Sequence, residues 1–463
     1  MKEKLKKRYI GTKAFYRMAL MIAVPIMIQN GISNFVSMLD NIMVGRVGTE
    51  QMTGVAIVNQ LIFVYNLMIF GAVSGAGIFG AQFFGNRDWK GVRDTFRFKM
   101  MSCVVLTALA ILLFYVKGDV LIRLYLKGEG NPEQIEQSFH YAQQYLRIML
   151  LGLIPFCISQ CYSGTLREIG ETVLPMKAGI VAVLVNLCLN TVLIFGLFGF
   201  PRLGAVGAAI ATVVSRFVET AIVMVFTHKK KESYCFIQGA YRSFRVPKTL
   251  VVGILKKGIP LLLNETLWAG GMAMLNQCYS IRSYDAVSAV NISSVITNVF
   301  NVSFIAMGSA IGIICGQMLG AGKSDEAVDA NRKLTFFSLV LCIGFGIGLA
   351  LVSPFFPLIY NTTDEIRAMA GSFIRISAAC MPIGAYANAS YFTLRSGGKA
   401  LITVLFDSCY VWVIVVPFAY ILSRYTAIPV VPLFLCCQLI EFGKCIVGFF
   451  MVRSGIWIQK LVK

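Results

Sequence analysis

Charge is what this sequence has least of: 14% of its 463 residues are Asp, Glu, Lys or Arg, against about a quarter in soluble domains. So few charged groups cannot coat a globular surface. With 57% AVILMFWYC residues and a mean hydropathy of +0.73, lipid must be part of the solvent. Histidine is nearly missing. His140 and His228 stand alone, with no acidic or cysteine cluster beside them, which argues against a His-based metal site. The 13 cysteines offer no CxxC pair, and most, such as Cys157, Cys161, Cys436 and Cys437, lie in apolar runs where a thiol packs as a small hydrophobe. The same arithmetic excludes disulfide-scaffold, collagenous and disordered chains. The apolar runs also lack the Asp-rich or His-containing cluster that a membrane-embedded prenyl- or acyltransferase would need.

What is present is a series of apolar runs near the 20 residues that cross a bilayer. Twelve are expected, at 15–40, 51–80, 99–116, 138–163, 173–199, 204–227, 250–280, 286–315, 334–353, 368–392, 400–423 and 428–452. An even number returns both termini to one side. Basic residues name that side: 30 of the 42 Lys and Arg, Lys99 among them, fall in the terminal and alternate-loop segments assigned to the cytoplasm. That placement accounts for the net charge of +20 without nucleic acid. The first run lacks a small-residue cleavage site and is expected to stay as a helix of the bundle.

The two halves repeat. A shift of 235 residues sets Pro25 on Pro260, Glu50 on Asp285, Asn66 on Asn301, Gly77 on Gly312, Gln82 on Gln317 and Gly85 on Gly320, with GIFGAQFFG above GIICGQMLG. A shift of 227 or 228 then pairs Pro155 with Pro382 and the Leu-Arg pairs at 166 and 394. Because polar and glycine positions carry the match, it exceeds the likeness of any two apolar helices. Six spans on each side of the basic 228–248 stretch make parallel repeats, an architecture typical of secondary transporters. The expected organisation is an N-lobe at 1–228 (helices 1–6), a cytoplasmic linker at 229–248 and a C-lobe at 249–463 (helices 7–12).

Polar residues at membrane depth mark where function lies. On the first span, Gln29, Ser33, Ser37 and Asp40 share a face, with Asn30, Asn34 and Asn41 beside them. The seventh span groups Asn264, Glu265, Trp268, Asn276 and Tyr279. The eighth carries Asn291, Ser294, Asn298 and Asn301 in one stripe, and the second carries Asn59 and Asn66. A wet cavity wall accounts for them better than interhelical hydrogen bonding alone. An ionisable group at mid-bilayer costs about 2.5–3.5 kcal/mol, so each needs a reason. Glu441 with Lys444, and Arg216 with Glu219, are spaced to neutralise each other. Asp40, Glu265 and Asp407 have no basic residue at i±3 or i±4. A carboxyl without a counter-charge in low dielectric can exchange protons, or a cation, near neutral pH, so these three are coupling candidates. Pro25 and Pro260 each remove a backbone bond early in a span, where either a hinge or a static kink would result.

The stretches PIMIQN from Pro25, MVGRVG after Asp40, GAQFFGN from Gly80, GIPLLLNE ending at Glu265 and CGQMLGAGK from Cys315 resemble the multidrug and toxic compound extrusion (MATE) family, most closely its DinF-like bacterial branch. The resemblance covers essentially the whole chain. It implies an all-α polytopic membrane protein with 12 transmembrane helices in two pseudo-symmetric six-helix lobes forming a V. It also implies export of organic, often cationic, drugs by antiport with H+ or Na+. Asp40 stands at the family's first-helix acid, Asn186 and Asn190 at its fifth-helix N-xxx-D pattern with Asn190 in place of Asp, and Glu265 at its seventh-helix acid. Between Arg375 and Tyr391 there is no Asp to complete a C-lobe cation site of the NorM-like kind. The expected coupling set is Asp40, Asn186, Asn190 and Glu265, with Asp40 the one place for Na+. The expected cavity set is Gln29, Asn30, Ser33, Asn34, Ser37, Asn59, Asn66, Asn264, Trp268, Asn276, Asn291, Asn298, Asn301 and Asp407. No cofactor beyond the coupling ion, no catalytic residue and a monomer in the cell membrane are expected. A flippase for lipid-linked precursors shares the two-lobe design, but such proteins often have 14 spans and several cavity arginines, to which only Arg216 and Arg375 are comparable here.

Overall fold

The structure, a computed structural model, describes residues 9–126, 132–360 and 362–462, apart from the side chains of Ser37, Met38, Asn41, Arg282 and Tyr284. Twelve long helices, and no strand, run through these residues. They are α1 Lys13–Gly45, α2 Thr49–Gly85, α3 Trp89–Tyr125, α4 Pro132–Glu168, α5 Val173–Phe195, α6 Ala205–Lys229, α7 Lys248–Arg282, α8 Tyr284–Gly320, α9 Ser324–Val352, α10 Asp364–Ser396, α11 Ala400–Tyr425 and α12 Val430–Arg453. Each helix falls on one expected span, and several run a few turns further, because their polar ends lie beyond the apolar window. Eleven of them are long and apolar enough to cross a membrane. The twelfth, α7, is held below that mark by its own polar residues, including Lys256, Lys257, Asn264 and Glu265. Pro25 and Pro260 lie inside unbroken helices.

The chain packs as two compact units. One comprises 28–80 and 89–253; the other comprises 1–27, 81–88 and 254–463. In the first, Tyr65 is fully buried, and its hydroxyl shares a hydrogen bond with Thr107 (2.8 Å) and donates to the Leu153 carbonyl (3.1 Å). The basic 229–248 stretch folds back onto this unit: Arg97 donates to the carbonyls of Gly239 and Ala240, each at 2.8 Å. Away from these contacts the faces are greasy, with Leu112, Leu113 and Val116 of α3 at least half exposed, as lipid-facing residues should be.

In the second unit, small residues let helices approach closely. Ala19, Ile22, Ala23 and Ile26 of α1 join Ala306, Ala310, Ile311 and Ile314 of α8 in one buried cluster. The repeat shows here as reciprocal packing. Gly85 lies against the Gln317 carbonyl, and its repeat mate Gly320 lies against the carbonyl of Gln82, the mate of Gln317. No Cβ fits at either place, which explains why these glycines survive in both halves. Gln82 is fully buried and stitches this end together: its Nε2 donates to the carbonyls of Ser396 (3.2 Å) and Gln459 (3.1 Å), and its Oε1 accepts from the Leu461 amide at 2.7 Å.

Two helices are irregular where polar residues enter. In α11, Leu405–Cys409 and Val411–Val415 are wide π-helical turns, a distortion common at functional sites. Asp407 lies in the first. Helix α12 is interrupted between Leu439 and Glu441, and the Tyr410 hydroxyl donates to the freed Ile440 carbonyl at 2.6 Å.

Candidate functional site

In the first unit, Asp40 stands near the C-terminal end of α1 and meets α5. Asn190 Nδ2 donates to Asp40 Oδ1 at 2.6 Å. Asn186, with its amide nitrogen turned toward Asp40, reaches both carboxylate oxygens at 3.1 and 3.3 Å. The two asparagines are buried, and their i, i+4 spacing places both amides on one face of α5. Among the described residues, no basic side chain forms an ion pair with Asp40. The carboxylate is therefore held by neutral donors, and its charge stays uncompensated.

About three turns before Asp40 on the same helix, Gln29 Oε1 accepts from Arg167 at 2.6 Å, and the Gln29 amide packs against Gly179. Ser33 and Asn34 are exposed and Asn30 half-buried, while the side chains of Ser37 and Asn41 lie outside the described residues. Asn59 is exposed; Asn66 is half-buried, and its Oδ1 is enclosed without a partner.

The second unit treats its acids differently. Asp407 has a counter-charge after all: Lys444 Nζ lies 2.5 Å from its Oδ1, and the Lys444 side chain is 8% exposed. Sequence spacing missed the pair because the lysine comes from another helix. Glu441 is the more distant partner of Lys444, at 3.8 Å. Asn264 Nδ2 donates to Asp407 Oδ2 at 2.9 Å, and Ser408 donates to Asn264 Oδ1 at 2.7 Å. Asn264 is thus fully enclosed in a polar knot rather than open on a cavity wall. A shift of 228 residues sets Asp407 on Gly179, the glycine that packs against Gln29, and Gln29 is the repeat mate of Asn264. The second repeat therefore carries a carboxylate where the first has a glycine, while the same shift sets Lys444 on Arg216.

Glu265 accepts from the Tyr391 hydroxyl at 2.8 Å, and Arg395 attracts it electrostatically. The aromatic wall expected beside it is divided. Trp268 is 41% exposed, whereas Tyr279 is buried in the core with Phe373 and Phe434. Asn276, Asn291 and Asn298 are exposed and Asn301 half-buried. Arg216 turns away from Glu219 to the Gly152 carbonyl (3.2 Å) and lies over the Phe156 ring.

A further acid, Glu168, is buried and was not anticipated. Lys99, counted above among the loop cations, is fully enclosed, with its Nζ 2.6 and 2.5 Å from the Glu168 carboxylate and 3.0 Å from Thr165 Oγ1. The carboxylate lies in a notch left by Gly77 and Gly80 of α2. The GxxG spacing on one helix face was the available signal.

Against this geometry, the sequence pattern of the MatE family matches residues 25–192 and 260–421. The chain belongs to the MatE family. Both matched segments open on the prolines that the internal repeat superimposes. Among curated relatives of this MatE chain, one named probable multidrug resistance protein NorM from Thermotoga maritima is 27% identical over 418 residues, covering 87% of this chain and 85% of the relative. One named probable multidrug resistance protein YoeA from Bacillus subtilis is 24% identical over 423 residues, covering 90% and 88%. Among solved structures, a multidrug resistance MATE family transporter in its outward-facing conformation has the same fold, with a TM-score of 0.86 at 20% identity over 95% of both chains. A MATE in the straight conformation scores 0.87 at 19% identity over 97% of both. The fold and the family together make this a multi-pass membrane protein.

Proposed function

We propose that this MatE protein is a secondary active exporter of organic, often cationic, small molecules, driven by antiport with H+ or Na+, and that Asp40 is its coupling group. The names of its multidrug-resistance relatives support the substrate class. The observation that carries the coupling role is a half-buried carboxylate that, among the described residues, is held by the amides of Asn186 and Asn190. Protonation turns one of its acceptor oxygens into a donor, so the bonds to α5 must rearrange. Loss of the proton restores them. Occupancy of Asp40 thereby biases how α1 lies against α5, which gives a two-state element for a gradient to drive. One proton crossing 100 mV supplies about 2.3 kcal/mol. Exchange of one proton for one monovalent cation is electroneutral, and the pH gradient alone then drives it.

Transport in proteoliposomes under independently imposed proton and sodium gradients tests the reading. Drug movement under one gradient and not the other names the ion. No movement under either, with turnover of a lipid-linked substrate instead, would replace export with flipping. Both chain ends and the 229–248 stretch are assigned to the cytoplasmic side. With the accessible native cysteines removed, Phe198→Cys should label from outside, because Phe198 is 89% exposed in the α5–α6 connection, and Lys230→Cys should not. The reverse pattern would invert the protein.

A further inference from the structure

The second unit holds a cavity of about 500 Å³ between α9, α10 and α12, at the end of the unit where Tyr9 and Ile458 lie. Its rim carries two guanidinium groups, Arg332 and Arg453, and neither forms an ion pair among the described residues. Other basic groups nearby are occupied: Lys333 pairs with Asp329 at 2.5 Å, and Lys323 with Glu326 at 3.0 Å. The sides are apolar and open, with Phe336 of α9 39% exposed and Phe449 of α12 45% exposed. The floor is polar and closed. Thr393 Oγ1 donates to Asn331 Oδ1 at 2.6 Å, and Asn331 Nδ2 has no partner among the described residues, so one donor remains available. Two cations and a free amide above an aromatic and aliphatic slot make an amphiphile site, of the size that ligand pockets have.

We propose that this cavity binds an anionic phospholipid of the adjoining leaflet, its phosphate between Arg332 and Arg453 and the upper part of an acyl chain between Phe336 and Phe449. Basic pockets between transmembrane helices on the cytoplasmic side are where such headgroups bind, and the orientation proposed above puts this cavity there. The site also touches the transport machinery. Tyr386, Ser390 and Thr393 face the cavity from α10, and Tyr391 of the same helix holds Glu265. Tyr386 and Thr393 lie roughly opposite Tyr391 around the helix at 100° per residue. The lipid therefore grips one face of the helix whose other face positions an intramembrane acid, and its occupancy tunes export.

The test uses the full-length purified protein in neutral detergent, with native mass spectrometry and thermal unfolding in phosphatidylglycerol, phosphatidylcholine or inorganic phosphate. Phosphatidylglycerol should stay bound and raise the unfolding midpoint, while phosphatidylcholine and inorganic phosphate should do neither. Each basic group is worth about fivefold in affinity, so Arg332→Gln with Arg453→Gln should weaken phosphatidylglycerol binding roughly thirty-fold. Arg453→Gln alone, at an exposed position that leaves the fold intact, should weaken it about fivefold. Arg424→Gln, at the far end of α11, should change nothing. A double variant that binds phosphatidylglycerol like the parent protein, or a shift with inorganic phosphate equal to that with the lipid, would overturn the proposal. In proteoliposomes, phosphatidylglycerol should stimulate export by the parent protein and not by the double variant. Loss of export in every lipid would count against the export reading and leave the binding result standing.

Discussion

Asp40 and Asp407 are the same residue type, one in each half of the sequence at positions the repeat does not superimpose, and they are held by opposite chemistry. Asp40 meets two amides, whereas Asp407 meets the Lys444 ammonium at 2.5 Å and the Asn264 amide. Amides stabilise a carboxylate without cancelling its charge, so a proton or cation still gains by binding. An ammonium at contact distance cancels the charge, and a cation arriving from solution would have to displace it. The pair is thus locked at zero net charge, while Asp40 stays responsive. Residue type alone places neither acid in the mechanism; what faces it does.

The largest effect that bears on this contrast is expected at Asp40. Asp40→Asn removes the exchangeable charge while keeping the shape and an acceptor for Asn190. Gradient-driven export in proteoliposomes should fall to background, with drug binding and folding intact. Full export by this variant under a proton gradient would break the comparison and move the coupling site to the other unit.

The next effect concerns stability rather than coupling. Lys444→Met leaves Asp407 buried without its counter-charge, at a cost of about 3–5 kcal/mol, read as a lower unfolding midpoint in detergent. Adding Asp407→Asn to that variant should recover most of the loss, because the acid at contact distance is then neutral and Glu441, 3.8 Å from the lysine and 28% exposed, depends on it less. The double variant should still export under a gradient. If it folds and does not export, the second unit takes part in coupling and the comparison fails.

How much of this was legible follows from the range over which each signal acts. Helix count, repeat and polar faces are set by local spacing, and the sequence shows them. Asp40 was legible from the polar face of its helix, and Asn186 and Asn190 only through the resemblance to the family's fifth-helix pattern. Pairings between helices far apart in sequence were not. Asp407 and Lys444 are 37 residues apart, and Lys99 and Glu168 are 69 apart. No spacing rule reaches across such distances. The π-helical turns of α11 were hidden as well, because hydropathy is blind to one extra residue per turn.

Smaller consequences are expected at Glu265, whose environment lies between the two extremes, with one phenol donating and one guanidinium acting at longer range. Glu265→Gln keeps an acceptor for Tyr391 and loses the charge. A hydrogen bond to a charged group exceeds a neutral one by about 1 kcal/mol, so drug affinity should fall roughly fivefold with the coupling ion unchanged. Unchanged affinity and unchanged transport would assign this acid to structure alone.

The smallest effect belongs to an acid outside the membrane spans, where water can share the work. Glu171, in the α4–α5 connection, accepts from the Tyr234 hydroxyl at 3.1 Å and from the Val173 and Leu174 amides, each at 3.1 Å, so among the described residues neutral donors alone hold it. Burial, with the Glu171 carboxylate beside it, pushes the Tyr234 phenol from 10 up to about 12. The fold thus favours the protonated phenol. Its contribution to stability is fully present below pH 10 and is lost as pH rises through 12. Tyr234→Phe should cost about 1 kcal/mol near neutral pH and leave export unaltered. The stability gap between the parent protein and this variant should close between pH 10 and 12, measured as the difference in unfolding midpoint at each pH. A gap that persists to pH 12 would mean that packing, and not the hydrogen bond to Glu171, holds this stretch in place.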